Sequence, residues 1–88
     1  MNGYVADEVE EHRSQHAGYD EIRAVINVYV TGTPDRESAV AEGHWVASRN
    51  ADGEVIEGPS LVGVQGPDDG LDPDTWLVSH RVTTIRYY

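Results

Sequence analysis

The sequence predicts an α+β domain that is mainly β, a curved four-stranded antiparallel meander with a short N-terminal helix. Three observations predict this class. The stretch Thr75–Tyr88 has no Gly, Pro or acidic residue and is rich in β-branched and aromatic residues, which favour strands. Glu21–Thr31 alternates between apolar and mostly polar positions, as a half-buried strand does. Turn-forming pairs, Asp52-Gly53 and Gly58-Pro59 among them, separate the remaining apolar runs.

The chain of 88 residues is short enough to form a single domain, 1–88, with a thin core. Residues 1–20 form a polar segment, and Ala6–His16 within it is predicted to be a short helix. Acidic residues near its N-terminus would favour that helix, and Gly18 would end it. Residues 21–88 are predicted to form the meander, beginning with the strand Glu21–Thr31. The buried face of this strand should carry Ile22, Ala24, Ile26, Val28 and Val30.

Two interpretations fit the segment after the turn Gly32–Asp35. Thr33 as N-cap, Pro34 at the first helical position and Gly43 as a stop would give a short helix over Pro34–Glu42. A strand over Glu37–Arg49 fits the alternation that runs into Trp45, and we favour the strand. Small residues on that face indicate that another element approaches closely.

The rest of the chain reads as strands joined by turns. Asn50–Gly53 is predicted to be a hairpin turn. A strand follows over Glu54–Glu57 and continues, after a bend at Gly58-Pro59, over Ser60–Gln65. Gly66–Asp74 is a loop by composition. Thr75–Tyr88 then forms the last strand, central or covered by a partner, because neither of its faces is wholly polar.

Charge limits the classes of function. The formal net charge is -10, with six Arg and no Lys, which opposes direct binding of nucleic acid through its phosphates. The acidic, Lys-free composition fits a merely acidic soluble protein, salt adaptation of a halophilic source, or mimicry of a nucleic-acid backbone by an anti-defence inhibitor. Mimicry would place the seven acids of Asn50–Asp74 along one face. No apolar run is long enough for a membrane span, and the N-terminus lacks a secretory pattern. We expect a cytoplasmic or virion-associated protein.

Three stretches carry a family resemblance: AVINVYV (24–30), ESAVAEGHWVASRNADGE (37–54) and TWLVSHRVT (75–83). Together they resemble the C-terminal β-meander of the ketosteroid-isomerase-like, polyketide-cyclase-like superfamily. The resemblance implies a cone-shaped sheet that binds a small apolar ligand, with His80 in the pocket. The family's N-terminal helices have only about 20 residues in their place here, so their catalytic residues do not carry over. The open concavity that results favours association with a partner.

Two sets of residues are candidate metal ligands. On a helix, Glu8, His12 and His16 would share one face and could bind Zn²⁺, although an exposed polar face is the more ordinary interpretation. Carboxylates crowd the loop Gly66–Asp74, where hard oxygen ligands suit Ca²⁺, but their spacing does not match a regular calcium loop. These carboxylates belong to Asp68, Asp69, Asp72 and Asp74.

The remaining candidates concern binding rather than catalysis. His44 and His80 are the candidates for acid–base work, but a hydrogen-bonded histidine within a sheet is the more common case. We therefore predict no catalytic residue and no cofactor. A ligand pocket, if present, should involve His80, Trp76 and Trp45. A protein interface should involve Trp76, Arg86, Tyr87 and Tyr88, because Trp and Tyr are favoured in interface cores.

These features predict a non-catalytic assembly or interaction subunit. It would associate with itself or with a larger assembly through sheet and aromatic surface, and a virus or phage structural component is one setting for it. A reduced ketosteroid-isomerase-like ligand-binding domain or enzyme and an acidic mimic of nucleic acid are the alternatives.

Overall fold

The structure, a computed structural model, describes residues 3–69 and 73–88. Within these ranges, one four-stranded antiparallel sheet carries one α-helix on one of its faces. This confirms the predicted α+β, mainly β class. The elements are β1 (Gly3–His16), β2 (Tyr19–Thr31), α1 (Arg36–Asn50), β3 (Glu54–Gln65), a 3₁₀ turn (Pro67–Asp69) and β4 (Thr75–Tyr87).

Strands β2 and β4 form the centre of the sheet. They pair antiparallel from Tyr19↔Tyr87 to Thr31↔Thr75. The five residues predicted for the covered face of β2 are all buried. On β4, the matching face buries Val78, His80, Val82 and Thr84. The last strand is therefore central, with β2 on one side and β3 on the other.

The predicted N-terminal helix over Ala6–His16 is wrong, because these residues belong to strand β1. This strand pairs with β2 along its whole length, from Gly3↔Thr31 to His16↔Tyr19. A two-residue turn joins the two strands, and Gly18 within it adopts a φ of +87°, which glycine tolerates. An acid-rich segment of 14 residues forms only a weak helix in isolation, whereas pairing with β2 satisfies the backbone groups of β1 that face that strand.

The favoured strand over Glu37–Arg49 is also wrong, because helix α1 occupies this segment. The residues that α1 buries are Ala39, Gly43, Val46 and Ala47, which follow the spacing of one helical face. The alternative helix over Pro34–Glu42 has the right type but the wrong bounds. Its N-cap is Asp35, whose side chain accepts a hydrogen bond from the Ser38 backbone N–H, and the helix continues through Gly43.

Two topological predictions also need correction. Asn50–Gly53 does not form a hairpin turn, since it joins the end of α1 to the start of β3. The strand order is β1-β2-β4-β3, not the sequential order of a meander, because α1 carries the chain across the sheet between β2 and β3. The bend predicted at Gly58-Pro59 lies inside β3, at one of the register shifts of that strand against β4.

The core lies between α1 and the covered face of the sheet. It combines Val46 and Ala47 of the helix with Ile26, Val28, Val30 and Val82 of the sheet. Gly43 brings the helix close to β4, so that a Cβ atom at this position would lie 2.6 Å from Val78 Cγ1. The close approach that small residues indicated is therefore real, although it occurs on a helix. Among the described helices, none is long and apolar enough to cross a membrane.

Candidate functional site

The face of the sheet opposite α1 is the main candidate site, and we call it the open face. Side chains alternate along a strand, so the residues between the buried positions of β2 and β4 all point away from the helix. On β1 the direct partners of these β2 residues extend the same face. On β3 the direct partners of the β4 residues extend it further. The open face therefore crosses all four strands and carries Val5, Asp7, Val9, His12, Ser14, His16, Tyr19, Glu21, Arg23, Val25, Asn27, Tyr29, Glu54, Glu57, Ser60, Gly63, Gln65, Leu77, Ser79, Arg81, Thr83, Ile85 and Tyr87.

One half of the open face is apolar, and we call it the valine zone: Val5, Val9, Val25, Tyr29 and Leu77. The pairs Val5↔Tyr29 and Val9↔Val25 join β1 to β2, and Tyr29↔Leu77 joins β2 to β4. Val5, Val9 and Tyr29 are 68%, 52% and 37% exposed. Exposed apolar side chains grouped on one face of a sheet are typical of a surface that another molecule covers.

A row of hydrogen bonds crosses the valine zone. Ser79 Oγ donates to Asn27 Oδ1 at 2.6 Å, and Asn27 Nδ2 donates to Asp7 Oδ1 at 3.1 Å. The row therefore links β4, β2 and β1 through side chains. Because these side chains hydrogen-bond to one another, a molecule that covers them has fewer polar groups to satisfy. This lowers the free-energy cost of covering this part of the face.

Beyond the valine zone, the open face is charged. Glu11 lies at the register shift of β1 and accepts two hydrogen bonds from the Arg81 guanidinium, at 2.7 and 3.2 Å. Arg23 lies 3.9 Å from the same carboxylate. The hydrogen bonds from Arg81 lower the pKa of Glu11 and raise the pKa of Arg81, so the pair is ionised at neutral pH.

Aromatic rings form the far end of the open face. The ring of His16 stacks on Tyr19 with centroids 4.7 Å apart, and Tyr19 lies 6.1 Å from Tyr87. Tyr87 is 67% exposed, and its hydroxyl donates to Glu54. Tyr87 is therefore the one predicted interface residue that lies on the open face.

The other predicted interface residues lie on the helix-bearing face or at the chain end. Arg86 donates a hydrogen bond to Glu8 at 3.0 Å and lies 3.5 Å from Asp52. Tyr88 donates a short hydrogen bond to buried Asp20, which lowers the pKa of that carboxyl group together with the nearby Arg13. These contacts tie the last strand to β1 and to the start of β2, although the Tyr88 ring itself is exposed.

The three residues of the predicted pocket do not meet. Trp76 lines a cavity of about 360 Å³ with Pro34, Arg36, Val64 and Pro67, and its indole N–H donates to the Thr33 carbonyl at 3.1 Å. Trp45 is exposed on α1, with the Arg49 guanidinium 4.9 Å from its ring. His80 is buried beneath α1 and does not line the Trp76 cavity.

The two acid–base candidates do come together. His44 on α1 and His80 on β4 have ring centroids 5.4 Å apart, with their planes at 78°. His80 is 1% exposed, and its Nδ1 has no hydrogen-bond partner in the described part of the chain. Burial lowers the pKa of His80, and His44 lowers it further.

The proposed zinc ligands Glu8, His12 and His16 depended on a helix that does not form. Residues four apart on a strand are about 13 Å apart, and two of the three side chains here contact different partners. Glu8 binds Arg86, and His16 stacks on Tyr19. Within residues 3–69 and 73–88, no group of three His, Cys, Asp or Glu is placed to hold a metal ion. Asp72 of the calcium prediction lies outside the described residues.

Sequence reasoning missed the valine zone because it assigned the segment Ala6–His16, which includes Val9, to a helix. Val5 and Val9 are four residues apart, which fits one face of a helix as well as one face of a strand, so the local pattern does not decide between them. Comparisons with protein-family models, with curated proteins and with solved structures gave no match to this chain.

Proposed function

We propose that this chain is a non-catalytic assembly subunit that pairs with a second copy of itself through the open face. The observation that carries the proposal is the exposed valine zone on a four-stranded sheet whose other face is already covered by α1. Burying apolar area is the main favourable contribution to most protein association.

The size of the open face supports a stable pairing. Four strands about 4.8 Å apart and about 12 residues long give a face of roughly 750 Å². A standard protein interface buries about 800 Å² on each partner. An apolar zone bordered by charged side chains also matches the usual anatomy of an apolar interface core with a polar rim.

A second copy is the occupant that best fits this surface. In a two-fold dimer the same patch meets itself, so a two-fold axis through the valine zone places valines opposite valines. Register shifts within β1 and β3 favour a bent sheet, in line with the curvature predicted from the sequence. Two such sheets pack face to face with their strands inclined at about 30°.

The test compares two valine substitutions on opposite faces of the sheet. Val9→Asp places a carboxylate in the valine zone, whereas Val55→Asp makes the same change on the other edge strand, in register with Thr84 on the helix-bearing face. Sedimentation equilibrium should show a dimer for the wild type and for Val55→Asp. Val9→Asp should dimerise at least about tenfold more weakly, equivalent to 1.4 kcal/mol.

Three results decide against the proposal. A wild-type chain that stays at its monomer mass of 9.7 kDa throughout the millimolar range has no self-association to explain. Equal weakening by both substitutions attributes the effect to added charge rather than to the open face. A Val9→Asp protein that dimerises as tightly as the wild type places the interface elsewhere. Whether the assembly is a virion stays a prediction.

A further inference from the structure

The contact between His44 and His80 lies where α1 crosses β4, on the face opposite the valine zone. Its two imidazole rings come from different elements, with centroids 5.4 Å apart and planes at 78°. His44 is exposed, so the pair can be reached from solvent, whereas His80 is almost fully buried. His80 Nδ1 is a buried polar atom with no partner among the described residues. Leaving such an atom unsatisfied costs about 1–3 kcal/mol.

The spacing of the rings suits a shared metal ion. A tetrahedral ion with two imidazole nitrogens at about 2.0–2.1 Å holds the ring centroids about 5 Å apart. The observed 5.4 Å differs from this value by an amount that small side-chain rotations can supply.

The chemistry of the pair also suits a cation. Metal ions bind the neutral form of imidazole, and burial keeps His80 neutral at physiological pH. A formal net charge of -10 attracts cations to the protein as a whole. Nitrogen ligands select zinc, copper or nickel over magnesium and calcium.

We propose that His44 and His80 together bind one divalent transition-metal ion of the zinc class, with water completing its coordination. The ion would fasten α1 to the central strand of the sheet. The site is separate from the earlier prediction of Glu8, His12 and His16, and it does not depend on the open face.

The chain offers a matched test, since its four histidines fall into two pairs. ZnCl₂ should raise the Tm of the wild type by several degrees, and MgCl₂ should not. A double variant, His12→Ala with His16→Ala, should keep the response to zinc. His44→Ala changes an exposed helical position to a good helix former and should remove that response.

Titration calorimetry with ZnCl₂ should show that His44→Ala binds zinc at least about tenfold more weakly than the wild type does. Removing a residue that only hydrogen-bonds to a metal ligand already weakens metal binding by about tenfold or more. In wild-type protein labelled with ¹⁵N, zinc should shift the side-chain resonances of His44 and His80 and leave those of His12 and His16 in place. This readout needs no variant to fold. A wild type without a zinc response, a His44→Ala protein that keeps it, or shifts confined to the β1 histidines would each overturn the proposal.

Discussion

Gly43→Ala adds one methyl group where α1 lies closest to the sheet. The new Cβ would lie 2.6 Å from Val78 Cγ1 and 2.7 Å from Val78 Cβ. Rotation of the Val78 side chain relieves the first contact but not the second, since Cβ moves only with the backbone of β4. Overpacking of this kind costs about 1–3 kcal/mol, and we expect the upper part of that range. Alanine favours a helix over glycine by about 1 kcal/mol, which offsets part of this loss of stability.

The net expectation is a loss of about 1–2 kcal/mol in the free energy of unfolding, which lowers Tm by roughly 5–15 °C for a domain of this size. Urea unfolding followed by circular dichroism measures this loss. Gly63→Ala is the matched control, because a Cβ there meets no atom within 4 Å, and it should be neutral or slightly stabilising. A Gly43→Ala protein as stable as the wild type would refute the close packing of α1 on β4.

Three further predictions concern pH, the helix cap and salt. Because burial and His44 hold the pKa of His80 below its ordinary 6.5, the unfolded chain takes up this proton at a higher pH than the folded chain. The free energy of unfolding should therefore fall as pH is lowered through 6.5, and His80→Leu should lose this part of the dependence in urea titrations between pH 5.5 and 8. A wild type that loses no more stability than His80→Leu over that range contradicts this. Asp35→Ala removes the N-cap of α1 and should cost about 1 kcal/mol in urea unfolding, whereas no loss would mean that the cap is dispensable. Raising the ionic strength from about 0.01 M to about 0.15 M shortens the Debye length from about 30 Å to about 8 Å, so sedimentation should show tighter dimers of these acidic chains; weaker dimers would mean that ion pairs, not the valine zone, hold the copies together.

The sequence predicts the central strands well because their patterns are local and unambiguous. β2 has five apolar residues at alternate positions, and the stretch that forms β4 has no residue that breaks a strand. Their burial follows directly from that alternation. The last strand was expected to be either central or covered by a partner, and its position between β2 and β3 is the central one.

The two errors of element type have different physical causes. β1 forms mainly because the backbone of β2 provides hydrogen-bond partners for it. This is a tertiary effect that the acid-rich sequence of β1 does not reveal. For α1, the small residues alternate and also recur at helical spacing, and the two patterns compete. Alanine favours helices and is depleted in strands, so propensity could have decided between them.

The two wrongly assigned elements, β1 and α1, also decided which parts of the candidate sites could be predicted. Tyr87 was predicted at an interface and lies on the open face, whereas the valine zone depended on the missed strand β1. The contact between His44 and His80 depended on the missed helix, since only α1 brings His44 over β4. Both histidines were chosen from the sequence, but their proximity required the tertiary structure.

The most direct test of open-face pairing is a nuclear magnetic resonance experiment on a mixture of isotope-labelled and unlabelled chains. Intermolecular nuclear Overhauser effects should connect the methyl groups of Val5, Val9 and Val25 to the second copy. The core methyl groups of Val46 and Val82, which lie beneath α1, should give none. Intermolecular effects that arise only from other surfaces, or none at a concentration where the mass is that of a dimer, would contradict the account.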